Sequence, residues 1–69
     1  MEKKEMKDNI LRNCYYQRNE YVGKETFRIF SSNESLLNEC CNELVSAGYL
    51  LCKDYNYKIT QMGVDFISK

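Results

Sequence analysis

The chain has 69 residues, of which 43% are hydrophobic and 29% are charged, a composition typical of one small globular domain and unlike that of a disordered chain. Its ten basic and ten acidic residues cancel, whereas small DNA-binding modules usually carry a basic excess that displaces counterions from phosphates. No apolar run approaches the roughly 20 residues of a membrane-spanning helix and no secretory signal is visible, so we expect a single cytoplasmic domain over residues 1–69.

The charges are distributed unevenly along the chain. Residues 1–28 contain seven basic and five acidic side chains, and residues 53–69 contain three basic and two acidic ones. Between them, residues 29–52 contain Glu34, Glu39 and Glu43 and no basic residue. The middle of the chain is therefore expected to be acidic, and its two ends basic.

The first predicted element is a helix over residues 2–18. Met6, Ile10 and Cys14 recur in it at the i, i+4, i+8 spacing of one helical face, which is typical of an amphipathic helix. The pattern breaks at the end of this segment. A short extended piece is predicted to follow at residues 21–23.

Residues 24–30 leave two alternatives open. Their β-branched and aromatic content suits a strand. However, Phe27 and Phe30 are spaced to share one side of a short helix. Because Gly23 precedes the segment and a serine-rich turn follows it, we favour the helix.

The best-defined predicted element is the third helix, which ends at Ala47. Ser31 and Glu34 form a capping box that opens it. Gly48 follows where a left-handed residue commonly ends a helix. The predicted buried side consists of Leu36, Leu37, Cys40, Cys41, Leu44 and Val45, and the outer side of Ser35, Asn38, Glu39, Asn42, Glu43 and Ser46.

Two short strands are predicted at residues 49–53 and 57–60, joined through residues 54–56. Because side chains alternate between the faces of a strand, Tyr57 and Ile59 are expected on the same face. These segments form a hairpin that leads from the third helix to the end of the chain.

A last helix is predicted over residues 61–68, with Thr60 as its N-cap. Gly63 within it costs about 1 kcal/mol relative to alanine. A close approach of another backbone segment would explain its presence. The side chains expected to point inward are Met62, Phe66 and Ile67.

The sequence contains no readable catalytic or metal site. Its four cysteines include no C-x-x-C pair and it has no histidine, so neither a zinc site nor an activated cysteine nucleophile is supported. We expect the cysteines to be small core or boundary hydrophobes, with a disulfide or redox role as the alternative. We predict no enzymatic activity, no metal and no cofactor.

Three local patterns carry a family resemblance: residues 43–50 (ELVSAGYL), residues 57–63 (YKITQMG), and Ile10-Leu11 ahead of Tyr21-Val22. In that order, they resemble the end of the recognition helix, the return from the wing into the final helix, and the first helix and strand of winged helix-turn-helix domains. The resemblance covers about residues 8–67. It implies an α+β, mostly helical fold with a three-helix core, a short two-stranded wing and a C-terminal helix.

The resemblance also implies a function. In winged-helix domains the third helix usually lies in the major groove of DNA, and the wing touches phosphates. The protein would then be a small transcriptional regulator of bacterial or phage type, and a homodimer, because one small unit offers few phosphate contacts. The implied DNA-binding residues are Ser35, Asn38 and Asn42 on the third helix, Lys24 and Arg28 at the edge of the second, and Lys53 and Lys58 on the wing.

The acidic residues favour an alternative, in which the winged helix binds another protein and no DNA. Glu39 and Glu43, one helical turn apart, would bring negative charge towards phosphates. Tyrosine is enriched at protein interfaces, and Tyr16 and Tyr55 are the tyrosines expected to be most exposed. These four residues are the site that the alternative predicts.

Overall fold

The computed structural model describes residues 3–68, which form an α+β fold that is mostly helical, as predicted. Residues 24–30 are mainly helical, which confirms the favoured alternative, and the third predicted helix corresponds to α2. The first helix ends earlier than predicted, and residue 2 lies outside the described part. The elements are α1 (Lys3–Tyr16), β1 (Val22–Gly23), a 3₁₀ helix (Lys24–Ile29), α2 (Glu34–Ser46), β2 (Leu50–Lys53), β3 (Asn56–Ile59) and α3 (Gln61–Ile67).

Within the described residues the sheet has three strands in the order β1-β3-β2, where the sequence predicted a two-stranded hairpin. Strands β2 and β3 are antiparallel, with Leu50 opposite Ile59. Strand β1 pairs antiparallel with the other edge of β3, with Val22 opposite Tyr57. The third strand forms because the extended segment before the 3₁₀ helix meets backbone groups of β3 that would otherwise lack partners.

The hydrophobic core lies between α1, α2 and the inner face of the sheet. Phe27 of the 3₁₀ helix contacts Tyr57 of β3, with ring centroids 5.9 Å apart. Leu36 and Val45, which the sequence placed on the buried side of α2, pack at the edge of the core. The buried hydrophobic residues are Met6, Ile10, Leu11, Cys14, Val22, Phe27, Leu37, Cys40, Cys41, Leu44, Leu50, Tyr57 and Ile59.

Helix α2 is capped by Asn33, so the prediction of a Ser31–Glu34 capping box is wrong. The Asn33 carboxamide oxygen accepts a hydrogen bond from the Leu36 N–H at 3.1 Å. Ser31 Oγ instead accepts the N–H of Asn33 at 3.0 Å. Asparagine is as good a cap as serine, and here it lies immediately before the first helical residue.

The predicted glycine end of α2 is confirmed. Gly48 has a φ of +88°, in the left-handed region. Its N–H donates to the Val45 carbonyl at 3.0 Å, and the N–H of Tyr49 donates to the Leu44 carbonyl at 2.9 Å. These two bonds are the Schellman pattern, which satisfies carbonyls that the helix leaves unpaired.

Helix α3 packs against the hairpin through Gly63. A Cβ at this position would lie 2.5 Å from the Tyr49 carbonyl oxygen and 2.7 Å from Ile59 Cγ1, so the predicted close approach is confirmed. Thr60 caps the helix as predicted, because its hydroxyl accepts the Gly63 N–H at 3.1 Å.

The predicted inward orientation of two α3 side chains is wrong. Met62 is 53% exposed and Phe66 is 42% exposed, while Ile67 is partly buried. Successive residues of an α-helix are 100° apart. Because Gly63 has to face the hairpin, Met62, 100° before it, is turned away from the core, and Phe66 lies between these two directions, while Val64 on the other side packs against the core. The glycine therefore sets the rotation of α3.

The hairpin turn consists of Asp54 and Tyr55, which have φ angles of 50° and 65°. Two-residue hairpin turns of this kind favour glycine or asparagine, because other side chains are strained at positive φ. The carbonyl of Tyr55 accepts the N–H of Lys24 at 3.3 Å, which ties the turn to the 3₁₀ helix. The Tyr55 side chain is 80% exposed, so it gains little packing in return for this strain.

Replacing Gly63 with alanine is expected to lower the free energy of unfolding by about 2 kcal/mol, after the gain of about 1 kcal/mol in helix propensity. The carbonyl of Tyr49 belongs to the backbone and cannot turn aside as a flexible side chain can. Urea denaturation measures the loss. The control is Gly23→Ala, whose new Cβ meets the Asn56 and Glu25 side chains at 3.3 Å. Equal losses in both variants would contradict the role of Gly63.

Replacing Tyr55 with glycine is expected to raise the free energy of unfolding by about 1 kcal/mol, because glycine is unstrained at positive φ. Thermal denaturation followed by circular dichroism should show a rise in Tm of several degrees, in line with roughly 4–8 °C per kcal/mol for a domain of this size. Lys53→Gly is the control in the adjoining strand, where glycine should lower Tm. A lower Tm for Tyr55→Gly would show that the turn is not strained.

Candidate functional site

The two acidic residues on the outer side of α2 are paired with lysines of α1. Lys3 Nζ lies 3.2 Å from Glu39 Oε1, and it also forms an ion pair with Glu43. Lys7 Nζ lies 3.2 Å from Glu43 Oε1. The partners come from different parts of the chain, so the acidic middle segment is neutralised by the basic N-terminal segment. We call these four residues the α1–α2 ion-pair cluster.

The cluster changes the ionisation of its members. Hydrogen bonds from Lys3 and then Lys7 lower the pKa of Glu43 below its usual value of 4.5. In return, hydrogen bonds to Glu43 and then Glu39 raise the pKa of Lys3 above 10.5. Both groups are exposed to water, so the pairs contribute little to stability. Their larger effect is on the electrostatic field, because α2 no longer presents two unpaired carboxylates.

The outward face of α2 is polar, and Glu39, whose side chain is 61% exposed, lies at its edge towards α1. Ser35, Asn42 and Ser46 are exposed along it, and we call them the outer strip of α2. Asn38 lies towards the 3₁₀ helix, and its carboxamide oxygen accepts a hydrogen bond from Lys24 Nζ. Lys24 and Asn38 were both predicted as DNA-binding residues, on two different helices. The structure brings their side chains into direct contact.

Arg28 also lies beside α2, but it is partnered. Its Nε is 2.6 Å from Glu34 Oε1, with the two side chains 59% and 50% exposed. Exposed ion pairs of this kind are weak and exchange readily with other charged partners. Arg28 can therefore still bind an anion by exchanging its partner. In this structure, however, Glu34 neutralises part of its positive charge.

The hairpin presents both of its lysines on the outer face of the sheet. Lys58 is opposite Leu51, and Lys53 is opposite Asn56. Leu51 is 54% exposed, which identifies this face as the solvent side. Lys58 Nζ also lies 5.5 Å from the centroid of the Tyr21 ring, within cation–π range. Lys53 forms no ion pair with any residue of the described range 3–68.

A polar cleft of about 400 Å³ connects the hairpin tip to the region beside α2. It is lined by two cationic residues, Lys24 and Arg28, and by two carboxylates, Glu25 and Asp54, together with Gly23, Tyr55 and Asn56. Of the predicted cationic residues, Lys24 and Arg28 thus lie together at this cleft, whereas Lys53 and Lys58 are on the outer face of the sheet. Glu39 and Glu43 lie on the opposite flank of α2, towards α1.

The two tyrosines of the alternative site border different surface depressions. Tyr16 is 77% exposed and Tyr55 80% exposed, as predicted. Tyr16 borders an apolar patch with Phe30 and Ile29, the last 75% exposed. The exposure of Ile29 was not predictable from the sequence pattern, because a 3₁₀ helix places side chains at a spacing that neither a strand nor an α-helix predicts.

The buried cysteines are hydrophobic residues and not nucleophiles. Cys14, Cys40 and Cys41 are buried free thiols, whereas Cys52 is exposed on β2. Burial raises the pKa of Cys41 to about 11 and that of Cys14 to about 12, so both thiols are protonated at neutral pH. The core interpretation is confirmed for three of the four cysteines.

Residues 3–68 contain no group of three or more acidic, cysteine or histidine side chains placed to hold a metal ion. None of the helices in this range is both long and apolar enough to cross a bilayer. No family model matches the chain, and no curated protein or solved structure matches it significantly.

The α1–α2 ion-pair cluster predicts a specific dependence of stability on pH. A carboxylate with a lowered pKa stabilises the fold above its usual pKa, here 4.5, and this contribution is lost as the pH falls through the lower pKa of the folded state. The wild type should therefore lose more Tm between neutral pH and about pH 3 than Glu43→Gln does. Glu20→Gln, with no ion pair among the described residues, should behave like the wild type. Identical acid profiles for Glu43→Gln and the wild type would contradict the cluster.

Proposed function

We propose that the protein is a small winged helix-turn-helix DNA-binding protein that acts as a transcriptional regulator. The observation that carries this proposal is the pairing of Glu39 and Glu43 with Lys3 and Lys7. It removes the main objection to DNA binding by α2, the presence of two glutamates without basic neighbours. The order of helices and strands and the β1-β3-β2 sheet also support this assignment.

In this proposal α2 enters the major groove, which is wide enough for a helix with its side chains. Asn38 and Asn42 supply carboxamides, which can donate to and accept from the major-groove edge of adenine. Such a bidentate pair contributes about 1–3 kcal/mol of discrimination against other bases. Ser35 lies on the same outward face and is suited to a phosphate or base contact.

The positive charge comes from residues around α2 and not from α2 itself. Lys53 and Lys58 reach phosphates from the outer face of the hairpin, and Lys24 and Arg28 reach them from the 3₁₀ helix. Each phosphate contact contributes about −0.9 to the slope of log K against log salt concentration. Four contacts imply moderate, strongly salt-dependent affinity for one copy of the chain.

The second candidate is a protein-interaction module. The exposure of Tyr16 and Tyr55 favours it, since tyrosine is enriched in interfaces. The acidic-helix version of this candidate is less well supported, because Glu43 already binds two lysines and Glu39 one. A partner of this kind would therefore be recognised through the tyrosines and not through α2.

Fluorescence anisotropy with a labelled mixed-sequence duplex at low salt tests the proposal. The wild type should bind with a dissociation constant between about 1 and 100 µM, the usual range of non-specific contacts. Lys53→Glu combined with Lys58→Glu should abolish binding, because two phosphate contacts become two repulsions. The control is Arg12→Glu combined with Arg18→Glu. It changes the net charge by the same amount as the hairpin variant, but on α1 and the segment after it.

The outcomes separate the candidates. If the wild type does not bind at tens of micromolar, the DNA-binding proposal fails. If both double variants lose binding equally, the interaction reports net charge and not the hairpin surface. If only the hairpin variant loses binding, Asn38→Ala and Asn42→Ala then test α2, because each should weaken A·T-containing sites more than G·C-only ones.

A further inference from the structure

Helix α3 and the end of α2 expose a strip of large apolar side chains. Met62 is 53% exposed and Phe66 42% exposed, and the Phe66 ring stacks on Tyr49 with centroids 4.8 Å apart. We call Tyr49, Met62 and Phe66 the α3 strip. Gly63 fixes this orientation of α3, so the strip cannot be buried by rotating the helix about its axis.

The outermost charges on the two sides of the α3 strip are opposite in sign. On the side of α1, Lys4, Lys7 and Asp8 border a crevice of about 120 Å³ next to Tyr49 and Phe66. Lys7 is paired with Glu43, whereas Lys4 is exposed and has no ion pair with any residue in the described part of the chain. The charges of Lys4 and Asp8 therefore cancel in sum, but Lys4 is the more exposed of the two, so the outermost charge on the α1 side is positive.

The other side of the strip is acidic. Asp65 is exposed on α3, where its carboxylate accepts a hydrogen bond from Gln61 Nε2 at 2.9 Å. With 100° between successive residues, Asp65 lies about 160° around the helix from Ile67, which borders α1 residues. Asp65 thus projects away from α1, on the far side of Met62 from Lys4.

We propose that the α3 strip is the interface of a symmetric homodimer. A two-fold axis through the strip exchanges its two sides, so Lys4 of each copy meets Asp65 of the other. The same operation lays the apolar side chains of one strip on those of the second. This interface is separate from the DNA-binding surface of the proposed function, and it does not require DNA.

The charge pattern selects this surface over the other apolar patch. The depression beside Tyr16, Ile29 and Phe30 includes Arg12 in its lining and no carboxylate. A two-fold axis there would bring like charges together without an acidic partner. The α3 strip has both signs in the arrangement that a self-complementary surface requires.

The dimer should be weak. Three large side chains bury less area than the roughly 1,000 Å² of a stable interface, so the copies are expected to associate only at high protein concentration. The two exposed ion pairs fix the orientation of the copies more than they add affinity. The interface therefore forms at high concentration, or where two copies are held close together.

Sedimentation velocity from about 10 to 500 µM tests the dimer. The wild type should shift from monomer to dimer over this range, and Met62→Lys should remain monomeric. Ile29→Lys introduces the same charge on the other apolar patch and should leave the dimer intact. A wild type that stays monomeric throughout, or a Met62→Lys variant that dimerises normally, would overturn the proposal. Circular dichroism of each variant checks that it is folded.

A charge exchange tests the symmetry without changing any apolar residue. Lys4→Asp makes both sides of the strip acidic, and Asp65→Lys makes both sides basic, so each variant should associate at least several-fold more weakly with itself. An equimolar mixture should form a heterodimer as strong as the wild-type dimer, because opposite charges then meet at both contacts. If the mixture associates no better than the separate variants, the proposed two-fold arrangement is wrong.

Discussion

The close contact between α3 and the start of the hairpin is the constraint on which the rest of the fold depends. The Thr60 hydroxyl donates to the Gly48 carbonyl at 2.6 Å, and the Thr60 N–H donates to the Tyr49 carbonyl at 3.0 Å. Gly63 then packs directly on that same carbonyl oxygen. The end of α2, the hairpin and α3 are therefore joined within a few residues. This joint fixes the direction in which the hairpin leaves α2, and so the position of Lys53 and Lys58.

Electrostatic pairing determines which surfaces are available for binding. The net charge of zero has two sources. Some basic and acidic side chains form ion pairs, and the unpaired ones lie on separate parts of the surface. Lys3 and Lys7 neutralise the α1 flank of α2, while Lys24 donates a hydrogen bond to Asn38 on its other flank. Exposed ion pairs add little to the free energy of unfolding. They nevertheless decide whether a helix repels or tolerates a polyanion, because the repulsion depends on local charge and not on the total.

The proposed DNA-binding surface and the proposed dimer interface use different parts of the molecule. The outer strip of α2, the 3₁₀ helix and the hairpin form the first, and the α3 strip with Lys4 and Asp65 forms the second. A weak dimer and a moderate DNA affinity would reinforce each other, because two linked copies bind with a raised effective concentration. The strained turn at Tyr55 lies at the edge of the first surface, where an exposed aromatic ring is suited to contact a ligand.

Much of the fold was predictable from local chemistry. The helical spacing of Met6, Ile10 and Cys14, the end of α2 at Gly48 and the Thr60 cap are each encoded within a few neighbouring residues. The candidate site was only partly predictable. Its residue types were identified, but the partners of Glu39, Glu43 and Asn38 were not, because each partner is distant in sequence. By itself the sequence determined the order of the helices and hairpin strands, the end of α2 at Gly48 and the start of α3 at Thr60, since caps, turns and periodicity act locally. The tertiary structure alone decided the third strand, the rotation of α3 and the neutralisation of α2, because these depend on which distant groups come into contact.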